Sequence, residues 1–192
     1  MTTPATEPER STDETEAVRR AQAGDRDAFA DLVAAHAPAA TRAAAWFGAG
    51  PDVDDVVQEA FVKAWQALDR FRPGAPFRPW LVRIVANQTR NTVRGRRRRD
   101  ALAVRALDLR DGPDPALDAL AAERQRSLLA AVRSLRPAER DVVVCRWLLG
   151  LTEAETATAL GIPAGTAKSR ASRALARLRA ELTELEVSHD RG

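Results

Sequence analysis

The sequence predicts an all-α protein made of two small helical domains that a flexible linker joins. Apolar residues recur at three- and four-residue spacing along most of the chain, and no segment alternates as a strand does for more than a few residues. A stretch dense in proline, glycine and aspartate interrupts this pattern after residue 99. The predicted segments are a disordered tail (1–15), a first domain (16–99), the linker (100–117) and a second domain (118–185).

The first domain is predicted from helical patterns that follow the tail. The tail is rich in threonine, proline and glutamate and has no hydrophobic periodicity. Residues 29–33 mark one helix, and residues 43–47 mark another before glycine and proline break the chain. The next helix carries a continuous apolar stripe, made of Val53, Val56, Val57, Ala60, Phe61, Ala64 and Leu68. Its opposite side is polar and carries Asp55, Gln58, Glu59 and Lys63.

A proline-rich aromatic segment, residues 71–80, leads into a basic helix. In this helix Arg83, Asn87, Arg90 and Arg94 are separated by four, three and four residues, so they share one face. An arginine and asparagine face beside aromatic residues suits contact with phosphates and recognition of exposed bases. Four further arginines, residues 96–99, continue this face and favour sequence-independent electrostatic binding of nucleic acid.

The aromatic residues of segment 71–80 also have a plainer interpretation. Phe71, Phe77 and Trp80 are residue types that fill hydrophobic cores. We expect Trp80, at least, to belong to the core.

The second domain is predicted to end in a helix-turn-helix. Helical periodicity resumes near residue 120, and another helix begins near Pro137. Thr152 and Glu155 form a T-x-x-E capping box for the next helix, because each side chain can satisfy a backbone donor of the other residue. Gly161 is expected to end that helix in a left-handed conformation, and Pro163 to start the last one.

The last helix is strongly cationic. It carries Lys168, Arg170, Arg173, Arg177 and Arg179, with no acid until residue 181. Such a helix suits the major groove of DNA. The alternative is a short alanine-rich helical hairpin whose charges are merely solvated.

Composition excludes several classes of protein. The 192 residues are 45% hydrophobic, so an ordinary core can form, and the net charge is only +3. Cys145, His36 and His189 cannot build a structural zinc site or a disulfide framework, so we expect no metal and no cofactor. With no signal peptide and no apolar run of membrane-spanning length, we expect a cytoplasmic protein without membrane insertion.

The order of the motifs resembles extracytoplasmic-function sigma factors, a compact class of bacterial transcription initiation factor. The resemblance spans about residues 17–182 and rests on DVDDVVQEAFVKAW, FRPGAPFRPWLVRIVAN, SLRPAERDVVV and GLTEAETATALGIPAGTAKSR. It implies two helical domains, called regions two and four, and a non-catalytic subunit that binds core RNA polymerase, directs it to promoters and assists DNA melting. Factors of this class are commonly held inactive by an anti-sigma factor, although nothing in this sequence identifies one.

The resemblance also implies roles for particular residues. Core-polymerase contacts are implied for Asp55, Gln58 and Glu59. Recognition of the minus-ten element is implied for Asn87 at a flipped base and for Arg83, Arg90 and Arg94 at nearby phosphates. Recognition of the minus-thirty-five element is implied for Thr166, Lys168, Ser169, Arg170 and Arg173. Ala171 and Ser172 stand where many members carry bulky residues, which affects the identity of the promoter rather than the role of the helix.

Two other functions compete with this interpretation. A dimeric helix-turn-helix regulator of duplex operators would use residues 151–179 but leave the acidic helix and residues 71–99 without a role. A metal-dependent nuclease would need Asp52, Asp54 and Asp55 as ligands. These acids crowd a helix N-terminus, where carboxylates stabilise the helix dipole in any case, and no second ligand cluster accompanies them.

Overall fold

The computed structural model describes residues 7–100 and 119–189, and the all-α prediction is confirmed for them. The described chain divides into two compact units, one built on the first four helices and the other on the last four. The predicted linker lies outside the described residues except for Asp100, which ends a helix. None of the helices in the described ranges is both long enough and apolar enough to cross a membrane.

Residues 7–100, the described part of the first unit, form four helices and two short 3₁₀ turns. The helices are α1 (Glu7–Gln22), α2 (Arg26–Trp46), α3 (Val53–Ala67) and α4 (Phe77–Asp100), and the 3₁₀ turns are Gly50–Asp52 and Leu68–Arg70. Asp25 caps α2 by accepting a hydrogen bond from the backbone N–H of Ala28 at 3.0 Å. After α2 the chain turns at Gly48, whose φ of 95° is costly for any other residue.

The core of the first unit lies between α2, α3 and α4. Small residues of α2 let the neighbouring helices approach closely, and larger side chains from α3 and α4 fill the space. Burying each of these larger side chains contributes about 1.5–3 kcal/mol. The buried residues include Ala28, Leu32, Ala40, Ala43 and Ala44 of α2, Val56, Ala60, Phe61 and Ala64 of α3, and Phe77, Leu81, Val82 and Val85 of α4.

The predicted disordered tail is wrong for residues 7–15, because α1 begins at Glu7. Glu14 ties this helix to the rest of the unit: one oxygen lies 3.0 Å from Nε2 of the buried His36, and the other accepts a hydrogen bond from the backbone N–H of Phe77 at 3.2 Å. Val18 and Ala21, one and two turns further on, are buried. The contacts of Glu14 join residues far apart in sequence, so no local pattern predicts them.

The second unit, as far as the structure describes it (residues 119–189), also contains four helices. They are α5 (Ala119–Ser134), α6 (Pro137–Val143), α7 (Glu153–Leu160) and α8 (Ala164–His189), with a wide π-helical turn, Val144–Leu148, after α6. The predicted start near Pro137 is confirmed. Cys145 is fully buried next to Val143 and Val144.

The predicted helix-turn-helix is formed by α7 and α8. The backbone N–H of Thr152 donates to the Glu155 carboxylate at 2.8 Å, and the N–H of Glu155 donates to Oγ1 of Thr152 at 3.2 Å, so the capping box is confirmed. Gly161 has a φ of 65°, the left-handed conformation expected of it. The carbonyl of Pro163 accepts the N–H groups of Thr166 and Ala167 at the start of α8.

We expect the substitution Glu14→Gln to lower the free energy of unfolding by about 1–2 kcal/mol at neutral pH, because hydrogen bonds to a charged acceptor are the stronger ones. The hydrogen bond from His36, with that from Phe77, holds the pKa of Glu14 below its ordinary value. The contribution is therefore complete above the unfolded carboxyl pKa of about 4.3 and is lost as the pH falls through the lowered folded pKa.

Urea unfolding from neutral pH down to about pH 3 measures this difference. The matched control is Glu16→Gln, since Glu16 lies on the same helix and pairs with the exposed Arg19 at 2.5 Å. An equal loss in the control, or a difference from the parent that does not shrink in acid, would contradict the role given to Glu14.

Candidate nucleic-acid interface

The polar residues predicted on α4 lie together on one side of the helix, which we call the basic face (Arg83, Asn87, Arg90 and Arg94). Arg90 is half-buried and the other three are exposed. They point away from the side of α4 that carries the buried Leu81, Val85 and Thr89. The structure thus confirms that the four side chains share one face, and their contact with DNA stays a prediction.

The amide of Asn87 is held within the basic face. Nη1 of Arg90 donates a hydrogen bond to Oδ1 of Asn87 at 3.0 Å, one helical turn away. This bond uses one lone pair of the carbonyl oxygen and sets the direction in which the amide faces. Arg90 therefore orients Asn87 as well as contributing a positive charge.

The aromatic segment is mainly structural. Phe71 and Phe77 are buried, with ring centroids 5.7 Å apart, so the expectation that the segment offers its aromatic rings to exposed bases is wrong for these two. Trp80 packs against both rings, at 4.8 Å from Phe71 and 5.3 Å from Phe77. It is nevertheless half-buried, so the expectation of a core tryptophan is only partly met. Trp80 precedes Arg83 by three residues and thus adjoins the basic face.

The arginines that end α4 do not all serve one purpose. Arg96 is only 13% exposed, and its guanidinium pairs with the Asp52 carboxylate and donates to the carbonyl of Ala49. This residue joins the end of α4 to the chain just before α3, so the prediction that it grips nucleic acid is wrong. Arg98, in contrast, is exposed.

The acidic residues predicted on α3 are also displayed to solvent. We call Asp55, Gln58 and Glu59 the acidic face, and all three are exposed. Glu59 is 3.4 Å from Nζ of Lys63, which also donates to Oε1 of Gln88 on α4. The acidic face therefore sits on a helix that polar contacts and a buried apolar stripe hold in one orientation.

Two apolar side chains beside the acidic face were missed at the sequence level. Val62 and Trp65 are 45% and 36% exposed, and neither belongs to the apolar stripe that the sequence predicts for α3. Each follows Gln58 at a spacing that places it on the same side of α3. The ring of Trp65 packs edge-on against Phe29 at 4.9 Å. The sequence did carry a signal for this placement, because residues 58, 62 and 65 are spaced by four and three and therefore share one side of a helix.

The residues predicted to read DNA from α8 occupy two flanks and the outer surface of that helix. An α-helix turns about 100° per residue, so Thr166, Arg170 and Arg173 lie on one flank and Lys168 on the other. Ser169 faces outward between them and donates to the carbonyl of Thr166 at 3.1 Å. Lys168, Ser169 and Arg173 are exposed, and Thr166 and Arg170 are half-buried. The five side chains thus span the outer surface and both flanks of α8 rather than a single stripe.

Glu139 of α6 lies beneath this cationic helix and was missed at the sequence level. It is 5% exposed, and its two oxygens face Nε of Arg173 at 4.0 Å and Nε of Arg177 at 3.4 Å. The sequence did carry a signal for the burial of Glu139. Val142 and Val143, which are buried, follow it by three and four residues and so lie on the same side of α6. An acid on an apolar face generally has a basic partner.

The described ranges contain no group of three or more histidine, cysteine, aspartate or glutamate side chains that could hold a metal ion. Asp52, one of the three acids that a nuclease would need, is engaged by Arg96.

Comparison with known proteins identifies both units. Residues 32–99 match the Sigma-70 region 2 family, and residues 131–180 match Sigma-70, region 4. RNA polymerase sigma factor NccH of Alcaligenes xylosoxydans xylosoxydans is 38% identical over 88% of this chain and 94% of its own length. ECF RNA polymerase sigma-E factor of Escherichia coli (strain K12) is 34% identical over 82% of this chain and 87% of its own.

A solved structure of similar fold is the sigma factor RpoE in complex with the anti-sigma factor NepR, from Bartonella quintana. Its sigma chain superposes with a TM-score of 0.68 at 26% identity, over 81% of this chain and 96% of its own length.

We expect Arg96→Ala to destabilise the fold by about 1–3 kcal/mol, because it leaves the partly buried Asp52 carboxylate without its partner and removes one of the hydrogen bonds to the carbonyl of Ala49, which still accepts the N–H of Asp52. Arg98→Ala is the matched control and should stay within about 0.5 kcal/mol of the parent, since Arg98 is exposed on the same helix. Thermal unfolding followed by circular dichroism measures both. Equal stability of the two variants would show that Arg96 has no structural role.

Proposed function

The chain belongs to the extracytoplasmic-function family of RNA polymerase sigma factors, and we propose how its charged helices recruit the polymerase and recognise a promoter. As a sigma factor it binds core RNA polymerase, directs it to specific promoters and assists DNA melting at initiation. The observation that carries the assignment of surfaces is the separation of charge: an acidic face on α3, a basic face on α4 and a cationic α8 in a different unit. Three separate surfaces, one acidic and two basic, suit three different contacts.

The acidic face is the contact for core polymerase. Asp55 and Glu59 present exposed carboxylates on a rigid helix, so arginines of a partner coiled coil, the clamp helices of the largest polymerase subunit, can pair with them. Such pairs set orientation and association rate more than raw affinity. Val62 and Trp65 add apolar area next to the charges, and burial of that area contributes affinity.

The basic face is the contact for the minus-ten element. Arg83, Arg90 and Arg94 provide charges for phosphates of the non-template strand. Asn87 can donate to and accept from the edge of a base that has left the stack. Because Arg90 already holds Oδ1 of Asn87, the amide is oriented before DNA arrives and loses less entropy on binding.

The exposed surface of α8 is the contact for the minus-thirty-five element. Ser169 faces outward, towards the floor of a major groove in which the helix would lie. Thr166, Arg170 and Arg173 on one flank and Lys168 on the other are placed for base edges or for the phosphates along the two sides of the groove. An arginine that forms a bidentate contact with guanine would distinguish sequences, whereas a phosphate contact would not.

We further propose that the protein is not an enzyme and acts in the cytoplasm. Binding and capture of a single strand supply the free energy for opening, and the polymerase carries out RNA synthesis. The complex of a related sigma factor with an anti-sigma factor supports control of this chain by a protein of that kind. A dimeric regulator that works without polymerase is not favoured, because it leaves the acidic and basic faces of the first unit unused.

The double substitution Asp55→Lys with Glu59→Lys should weaken assembly with core polymerase about tenfold or more, since like charges would then face each other. Helical circular dichroism should not change, because both side chains are exposed. Asp31→Lys with Asp69→Lys is the matched control, as it reverses two exposed acids outside α3. Co-elution with core enzyme measures the effect, and unchanged co-elution of the α3 variant would remove the acidic face from the contact.

We expect Asn87→Ala to assemble with polymerase and contact the upstream element as the parent does, yet to open duplex promoters poorly. The lost amide serves only the unpaired base, so a premelted template should restore much of the transcription but not the base preference. Permanganate reactivity of promoter thymines and run-off transcription on both templates measure this.

Asn91→Ala is the control for this test, since it removes an exposed amide one turn further along α4. If Asn87→Ala opens duplex promoters like Asn91→Ala and keeps its base preference, Asn87 does not read the minus-ten element.

A further inference from the structure

We propose that Glu139 is a positioning residue that raises promoter specificity by holding Arg173 and Arg177 against one flank of α8. This inference rests on the proposed function of α8 as the reader of the minus-thirty-five element. It assigns a role to a residue that lies outside the DNA-reading surface and belongs to a different helix.

The burial of Glu139 makes it dependent on the two arginines. Its side chain is 6% exposed, whereas those of Arg173 and Arg177 are 62% and 43% exposed. Among the described residues Oε2 accepts no hydrogen bond although it is buried, so its 3.4 Å approach to Nε of Arg177 is a charge contact. A buried carboxylate without compensation is strongly unfavourable, and the guanidinium groups provide that compensation.

The geometry of these contacts leaves the reading edge of each guanidinium available. Both arginines turn their Nε towards Glu139. The two terminal nitrogens form another edge of the planar group, and that edge can make a bidentate contact with guanine. Holding Nε reduces the number of orientations open to the side chain, so less entropy is lost when Arg173 contacts a base.

Glu139 also reduces the net charge of this flank. Glu139, Arg173 and Arg177 together carry a net charge of +1, whereas the two arginines alone would carry +2. The lower positive charge weakens the attraction of this flank to a phosphate backbone of any sequence. Glu139 therefore acts on both components of recognition: it lowers sequence-independent binding and favours the oriented contact.

The attachment of α8 does not depend on Glu139 alone. Ser134 of α5 donates to the carboxylate of Glu181 further along α8 at 2.8 Å. Ala167, Ala174 and Leu178 are buried on the inner side of the helix. Glu139→Gln preserves shape and volume, so this substitution should change the charge and orientation of the arginines without undocking the helix.

The experiment uses holoenzyme assembled from the full-length chain and core polymerase. Its probes are a duplex whose upstream element has been selected with the parent holoenzyme from a randomised pool, and the same duplex with that element scrambled. Affinities for both are measured by filter binding over a range of potassium chloride concentrations. The two readouts are the affinity ratio of the duplexes and the slope of log affinity against log salt.

We expect Glu139→Gln to steepen the salt slope by about one unit, because the released guanidinium can neutralise a further phosphate. The affinity ratio should fall about five- to tenfold, since the oriented contact is lost. Glu139→Asp keeps the charge, so it should retain the parent slope while losing part of the ratio. Loss of packing alone would not steepen the slope.

Glu153→Gln is the matched control, because it removes one carboxylate from the same unit without an ion pair to either arginine in the described structure. It should leave the ratio unchanged.

Arg177→Gln removes one of the two arginine partners of Glu139. It should lower the affinity ratio without steepening the salt slope, because Glu139 then pairs with Arg173 alone. This variant keeps the test decisive if Glu139→Gln does not fold.

A parent holoenzyme that discriminates, together with a folded Glu139→Gln variant that matches it in both slope and ratio, would overturn this inference alone. An equal fall of the ratio in Glu153→Gln would also overturn it. A parent that binds the selected and scrambled duplexes equally would contradict the proposed function of α8 and, with it, the role of Glu139.

Discussion

Each helix packs an apolar stripe against its neighbours, and this packing fixes the orientation of every helix. In the first unit Val56, Ala60 and Ala64 lie on the buried side of α3, and Leu81 and Val85 lie on the buried side of α4. Once these sides are buried, the 3.6-residue repeat fixes where every other side chain points. The acidic and basic faces are therefore consequences of core packing, since a rotation of either helix would expose apolar area at about 25 cal/mol per Å².

The charged residues have two roles: some stabilise the fold through partners within the protein, and others stay on its surface. Arg96 and Asp52 hold α4 to the start of α3, and Glu139 holds two arginines of α8 from beneath. On the basic face Arg83 and Arg94 are exposed and Arg90 is half-buried, and the carboxylates of the acidic face are exposed. Position in the helix decides which role a charged residue has: those close to the core find partners within the protein, and those opposite it remain available for DNA or polymerase.

Local patterns predicted most of the helices and the helix-turn-helix, because apolar periodicity, the capping box at Thr152 and the left-handed Gly161 each act within a few residues.

The errors of the sequence prediction came from contacts between residues that are distant in the sequence. Glu14 meets His36 and Phe77, Arg96 meets Asp52, and the ring of Phe77 packs against His36. For the same reason the roles of Asp55, Asn87 and Arg170 rest on the resemblance, since an exposed charge or amide alone does not reveal what it binds.

As a sigma factor, this chain confers promoter-specific initiation on core RNA polymerase. Run-off transcription with purified core enzyme on genomic promoter fragments, with and without the protein, tests it most directly. We expect discrete transcripts that start at fixed sites, require the protein, and are accompanied by permanganate-reactive thymines near each start. Protection of the same duplex sites without polymerase, with no added transcript or strand opening when core enzyme is present, would rule out this function.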